Sequence, residues 1–344
     1  MELKTDVMIN NQAIISIIIV NYNTKDLIDQ CIKSIYESNI LNPFEIIVSD
    51  NASVDGSVEM ITEKYKEVII LKNEKNLGFS KANNLGVKIA KGEFILFLNS
   101  DTIVTENAID LLIEFLRKNH TITAVGPKLL NYDKTIQRSW FDFPNPFKTF
   151  FNLTGLSFYI VKFKNSKLLK LFFNKSKLPS FMLSNINEER IIDYLTLACL
   201  LIRKKELIQI GMLDDKIFFY HEDCELGYKL NSNSMKTVYF PKAEIVHLGG
   251  SSSQKNIIFS FSNYYKNLNY VFKKYEKTST YLCFKIGLLF ALSIRSFFWF
   301  FGIYRSINMF SVYSNNPTKS DAYKTKASDV LKTYLNVIKT ILLN

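Results

Sequence analysis

The chain has 344 residues, 47% apolar and 22% charged, a globular composition with room for one large α/β domain or two small ones. That balance excludes a disordered or fibrous chain. The net charge of +11 is unevenly placed. Phe143 to Asn187 contains no acidic residue but holds Lys148, Lys162, Lys164, Lys167, Lys170, Lys175 and Lys177. Lys277, Lys285, Arg295, Arg305 and Lys319 repeat the pattern between residues 277 and 320. These cations alternate with Phe, Leu, Ile and Tyr, which suits a membrane interface with anionic headgroups better than a merely solvated surface. The cysteines Cys31, Cys199, Cys224 and Cys283 form no CxxC pair, which argues against a disulfide framework or zinc site and fits a reducing cytosol.

The run Ile14–Val20 is too short for a signal-peptide core or a membrane span, and it reads as a strand buried on both faces. Leu27, Ile28, Cys31, Ile32 and Ile35 then recur at helical spacing after a cap at Asn23 or Thr24. Phe44–Val48 is a second strand, Ser57 to Tyr65 a short helix and Val68–Leu71 a third strand. A helix capped by Ser80 runs to about Ala90, a strand follows at Phe94–Leu98, and Asn107–Arg117 is helical again. This alternation predicts a doubly wound, mostly parallel sheet flanked by helices.

Residues 140–190 break the pattern, being aromatic, basic and punctuated by Pro144, Pro146 and Pro179, as an insertion would be. A strand is expected over Tyr194–Ile202, a helix over Lys204–Ile210, a loop carrying the acidic cluster at 222–225, and a strand near Thr237–Phe240. A catalytic domain over 1–255 and a helical, amphipathic region over 256–344 are the expected division. Tyr281–Tyr304 is long enough to cross a bilayer, but Lys285 and Arg295 interrupt it. An in-plane helix that lifts its basic side chains to the headgroups is favoured over a spanning one, with a buried helix packed on the enzyme as the third option.

In a doubly wound sheet, ligands bind beyond the carboxyl ends of the strands. The polar residues fall there: Asn21-Tyr22-Asn23 after the first strand, Asp50-Asn51-Ala52-Ser53 after the second, Asn99-Ser100-Asp101 after the fourth. Asp50 can accept the ring N–H of a uracil or thymine, and Tyr22 can pack against the base. Asp101 can ligate a hard cation, Mg²⁺ or Mn²⁺, which would neutralise a departing diphosphate. Gly78 is either a turn glycine or a point where backbone approaches the diphosphate, and its position before a helix start favours the second.

The ordered runs IISIIIVNYNTKDLIDQCIKSI, FEIIVSDNASVDGS and NEKNLGFSKANNLGVKIAKGEFILFLNSDT resemble the family 2 glycosyltransferases of GT-A fold, over roughly residues 14–250. The likeness is nearest to the rhamnosyltransferase-like branch. It implies a nucleoside contact at Tyr22, a base-binding carboxylate at Asp50 and a nucleotide contact at Asn83. It also implies a metal and diphosphate motif at Asn99, Ser100 and Asp101. YLTLACLLIRKKELIQIGMLDDKIFFYHEDCELGYKL resembles the acceptor-side segment, where Glu222-Asp223 matches the Glu-Asp pair and Asp223 would be the general base, with Glu225 a nearby support. PKAEIVHLGGSSS resembles the closing motif, so His247 would complete a metal site with Asp101. Asn99 replaces the first acid of Asp-x-Asp, and Leu197-Ala198 stands where many relatives have Gly-Ala, which alters the acceptor pocket.

The implied activity is inverting transfer of a sugar, rhamnose by the branch resemblance, from a UDP- or dTDP-sugar to a cell-surface glycan or lipid-linked acceptor. The expected setting is peripheral, on the cytoplasmic face of the cell membrane, with Mn²⁺ or Mg²⁺ and no nucleic-acid partner. A catalytically silent, nucleotide- or glycan-binding relative acting as an assembly partner is the alternative. Intact Glu222-Asp223 and Asp101 count against it. A nucleotidyltransferase is disfavoured because Asn21-Tyr22-Asn23-Thr24 has no glycine-rich loop.

Overall fold

In the computed structural model, residues 14–146, 149–150, 185–249, 257–300 and 327–343 are described. The first strands are continuous apolar runs, as a sheet covered on both faces requires. They are β1 (Ile15–Asn21), β2 (Phe44–Asp50), β3 (Ile69–Lys72) and β4 (Phe94–Asn99). They pair in parallel in the order β3-β2-β1-β4. The helices α1 (Lys25–Glu37), α2 (Ser57–Lys64) and α3 (Phe79–Ile89) connect them.

Alternate strand residues enter opposite layers. Ile15, Ile17, Ile19, Leu96 and Leu98 join Ile28, Ile32, Ile35 and Ile61 of α1 and α2. Ile18, Ile47, Ile95 and Phe97 join Val87 of α3. Each such side chain contributes about 1.5–3 kcal/mol by leaving water, so the central strands are fixed from both sides.

The chain then adds β5 (Thr102–Val104), α4 (Ala108–Lys118), β6 (Ile122–Leu130), β7 (Ile136–Gln137) and β8 (Trp140–Phe141). After the insertion come β9 (Arg190–Ile192), β10 (Tyr194–Leu195), β11 (Cys199–Arg203) and α5 (Lys204–Gln209). Next are α6 (Glu222–Ser232) and β12 (Lys236–His247). The sheet continues β4-β11-β6-β12-β5, with β11 antiparallel to both neighbours and β12 parallel to β6 but antiparallel to β5.

Several sequence expectations are corrected. The acidic cluster at 222–225 is not a loop; it forms the first turn of α6. The strand expected over Tyr194–Ile202 is two strands, because β10 leaves the main sheet to pair with β8. Ser80 does not cap α3: Gly78 holds the cap position and Ser80 lies inside the helix. The strand near Thr237–Phe240 extends to His247, where it meets β5. Most of the 140–190 insertion, residues 147–148 and 151–184, lies outside the described residues.

Beyond the sheet lie α7 (Ile257–Tyr275), α8 (Thr278–Phe300) and α9 (Ala327–Leu343). Tyr265, Leu268 and Phe272 of α7 pack with Phe284 and Leu288 of α8 and Tyr334 and Val337 of α9. By length and composition Thr278–Phe297 could cross a membrane, and a third of its most apolar stretch is buried within the protein. Arg295 is not lifted outward as expected; it is buried and donates to the Tyr265 hydroxyl at 2.5 Å. Leu282, Ile286 and Phe290, spaced four apart on α8, are 51%, 68% and 58% exposed and form an apolar stripe.

Candidate active site

The parallel register aligns the polar strand ends, with Asn21 opposite Asp50 and Val20 opposite Asn99. Asp50 is buried, and its two carboxylate oxygens accept from Asn21 Nδ2 (2.7 Å) and the Ser53 backbone N–H (2.9 Å). Ser53 Oγ in turn accepts from Asn21 Nδ2 (3.0 Å) and the Asn23 N–H (2.9 Å), tying the first two strand-end loops together. Tyr22, between those anchors, is 45% exposed. Asn21 and Ser53 were read only as strand-end polar residues; their role as a brace for Asp50 has no signal in the sequence.

Asn51 Nδ2 donates to the Gly78 carbonyl, and its Oδ1 accepts from Asn73 Nδ2 and the Leu77 N–H, so the third loop is joined to the second. Gly78 has φ +82°, and a Cβ there would stand 2.5 Å from the Phe218 carbonyl oxygen. The close approach that needs a glycine is therefore to Phe218, which also accepts the Phe79 N–H at the head of α3 (2.7 Å). Asn83 is buried and donates to the Phe79 carbonyl one turn back. Its neighbour Asn84 bonds the Leu213 carbonyl and Asp215, fastening α3 to the segment before α6.

At the end of β4, Ser100 accepts from Thr24 Oγ1 at 3.2 Å. Pairing of β5 with β12 sets His247 opposite Thr102, and this brings His247 Nε2 to 3.2 Å from Asp101 Oδ1 and 3.3 Å from Asn99 Nδ2. His247 Nδ1 lies 2.6 Å from Gln137 Oε1, while Gln137 Nε2 donates to Asn131 Oδ1 and the His247 carbonyl. An amide oxygen only accepts, so Nδ1 carries a hydrogen, and Nε2 is the ring atom that faces Asp101. Asn99, Asp101 and His247 thus meet as expected, with Gln137 as the orienting residue that sequence reading missed. Among the described residues, no group of three or more His, Cys, Asp or Glu side chains gathers as a metal cage.

Glu222 and Asp223 open α6. The residues before them, Tyr220 and His221, both hold left-handed backbone, with φ 71° and 69°. Asp223 Oδ1 accepts the Cys224 N–H at 2.7 Å. Glu222 Oε2 and His221 Nε2 are buried without a hydrogen-bond partner among the described residues. Burial pushes both carboxyls above the ordinary carboxylate range, and the Asp223 charge pushes Glu222 further. Burial also pulls the His221 imidazole down to about 3, so it is neutral. Carboxyls raised in this way can exchange protons near neutrality. Glu225 is fully buried and accepts from Lys274 (2.8 Å) and the Tyr275 hydroxyl (2.6 Å).

Raised carboxyls have a stability consequence with a definite sign. The folded state keeps these protons to higher pH than the unfolded chain, so their contribution to stability falls as pH rises from the ordinary carboxylate range through the raised values. Glu222→Gln removes a buried charge and is expected to stabilise the fold by about 1–3 kcal/mol on the alkaline side. Melting curves would show the gain at about pH 8 and its loss on acidification below the ordinary carboxylate range. Equal melting at all pH values would mean that Glu222 is not held in a desolvated site.

A parallel α/β half with polar strand ends, extended by a mixed half carrying a carboxylate pair, is the GT-A architecture. A solved structure of the same fold, GalNAc-T7 with UDP, GalNAc and Mn²⁺, overlays with a TM-score of 0.55 at 14% identity, covering 97% of this chain and 57% of that one. Residues 16–172 match the family model Glycosyl transferase family 2, and this stretch is a family 2 glycosyltransferase domain. The chain is 24% identical over 242 residues to the N-acetylglucosaminyl-diphospho-decaprenol L-rhamnosyltransferase of Mycobacterium tuberculosis, 67% of this chain and 74% of that one. It is 36% identical over 104 residues to the UDP-Glc:alpha-D-GlcNAc-diphosphoundecaprenol beta-1,3-glucosyltransferase WfaP of Escherichia coli, 30% of this chain and 41% of that one.

Proposed function

We propose that the protein transfers a sugar, with inversion, from a UDP- or dTDP-sugar to a lipid-linked acceptor at the cytoplasmic surface of a membrane. The observation that carries the reading is the contact of Asp101 with His247, 3.2 Å apart at the strand end two places from Asp50. A braced carboxylate beside an exposed tyrosine ring suits a pyrimidine base. The Asp101 carboxylate and His247 Nε2, 3.2 Å apart, suit a hard divalent cation, with its remaining positions left to diphosphate oxygens and water. Such a cation, when bound, supplies positive charge to the departing nucleoside diphosphate.

On the acceptor side, Asp223 takes the proton of the attacking hydroxyl as the sugar's C1–O bond to the diphosphate breaks and the new C1–O bond forms. Glu222, pushed higher by burial and by the charge of Asp223, stays protonated beside it and can donate to the sugar or acceptor. Direct displacement driven by a single base on the acceptor side, without a covalent sugar–enzyme intermediate, gives inversion. The two relatives named above share an N-acetylglucosaminyl-diphospho-polyprenol in their names, which makes that lipid the first acceptor to try. Rhamnose from dTDP-rhamnose is the first donor by likeness to the mycobacterial enzyme.

The deciding experiment incubates the protein with Mn²⁺, a short-chain GlcNAc-diphospho-lipid, and either dTDP-rhamnose or UDP-glucose, and follows product by mass spectrometry. Thermal shifts with the free nucleotides run alongside. A Mn²⁺-dependent shift with UDP or dTDP but no product sends the search to other sugars and acceptors. No shift with any nucleotide favours the silent binding relative.

The exposed stripe Leu282, Ile286 and Phe290 supports a peripheral membrane seat, since a soluble surface rarely aligns large apolar residues one helical turn apart. Burying each in lipid is worth about 1.5–3 kcal/mol. The double variant Ile286→Glu with Phe290→Glu is therefore expected to lose sedimentation with phosphatidylglycerol–phosphatidylcholine vesicles. Undiminished sedimentation would move the contact away from α8.

A further inference from the structure

Helix α7 has two working sides. One packs with α8 and α9, as above. The other reaches the segment that leads into Glu222 and Asp223. There Asn267, nearly buried, donates its amide Nδ2 to the Phe219 carbonyl (2.9 Å) and the Tyr220 carbonyl (3.2 Å). The Tyr264 ring lies 4.5 Å from the His221 ring and 6.0 Å from that of Tyr220.

These contacts fall on strained backbone. Tyr220 and His221 are consecutive non-glycine residues at positive φ. Each such residue costs about 1–3 kcal/mol and persists only where its surroundings over-determine it. The turn is what sets the direction of α6 and the position of its first carboxylates. Further along, Lys274 binds Asp214 at 2.6 Å and Glu225 at 2.8 Å, so α7 holds the segment on both sides of the turn. The same segment touches the donor side through Phe218, whose carbonyl accepts the Phe79 N–H beside Gly78.

We propose that Asn267 is a positioning residue for transfer: its one amide, donating to two successive carbonyls, holds the left-handed turn that presents Glu222 and Asp223. The inference rests on the reading of Asp223 as the base. It gives α7 a part in the chemistry separate from any membrane seat.

The test uses the full chain carrying Asn267→Leu, which keeps the branching and size of the side chain but removes the donor. Amide hydrogen exchange needs no substrate, and it should quicken at residues 217–225 while the amides of β1 and β4 exchange as in the wild type. Transfer with the GlcNAc-diphospho-lipid is expected to fall about 10- to 100-fold in kcat. Donor KM and the nucleotide thermal shift change far less than kcat, because Asp50 and Tyr22 stand on other elements and meet this segment only through Phe218 beside Gly78. Wild-type exchange at 217–225, or wild-type kcat, overturns the proposal. So does exchange that quickens equally throughout the sheet, which would make Asn267 a contributor to the whole fold. Asp223→Asn measured in parallel separates the two readings: if it retains turnover, the base is elsewhere, whatever Asn267 does.

Discussion

Replacing Asp223 by Asn is expected to lower transfer by about 10²- to 10⁴-fold while the thermal shift produced by UDP or dTDP stays as in the wild type. Asn fills the same space and can still accept the Cys224 N–H that the carboxylate accepts at 2.7 Å, so the head of α6 should keep its shape. What disappears is the basic oxygen. The wild type should show an acid limb in its pH profile above the ordinary carboxylate range, because burial raises Asp223 and the base works only when deprotonated. Activity is lost as pH falls through that raised value. The residual activity of Asp223→Asn should lack the limb. A variant that turns over at the wild-type rate, or keeps the same limb, would remove Asp223 from the role of base.

Asp101→Ala tests the proposed donor side. His247 would lose the carboxylate 3.2 Å from its Nε2, while Gln137 would still hold its Nδ1. The imidazole therefore stays in place without that carboxylate beside it, and a divalent cation held as proposed would lose its charged ligand. Donor affinity measured with Mn²⁺ is expected to weaken by at least about 10- to 100-fold, while affinity measured with EDTA present changes little. Direct Mn²⁺ binding, followed by electron paramagnetic resonance with nucleotide present, gives a readout independent of turnover. Equal weakening with and without metal would make Asp101 a plain hydrogen-bonding residue of the strand end.

The strand-end half of the candidate site is legible in the sequence for a physical reason. Strands buried on both faces must be apolar throughout, so the first polar residues after Ile15–Val20, Phe44–Val48 and Phe94–Leu98 mark the edge where ligands can bind. The carboxylate-pair half is harder to read. Helix α6 reads as a loop at its start because its inward set mixes Glu222, Cys224, Glu225 and Gly227 with Leu226 and Leu230, which blurs the helical period of apolar residues. Strand β6 was missed because Gly126-Pro127 interrupts its apolar run, and β5 because it is only three residues long. Asn267 carries no local signal: it matters through two carbonyls 48 and 47 residues earlier, which only the folded backbone brings near.

The pairing of β5 with β12 has a consequence for the order in which the protein becomes competent. Asn99 and His247 are 148 residues apart in the chain, and their meeting depends on the last strand of the sheet closing against a three-residue one. During synthesis the parallel half, β1 to β4, can form its core long before His247 leaves the ribosome, since neighbouring elements fold without waiting for distant ones. The nascent chain then passes through a period in which the Asp50 loop can already form and Asp101 has no imidazole beside it.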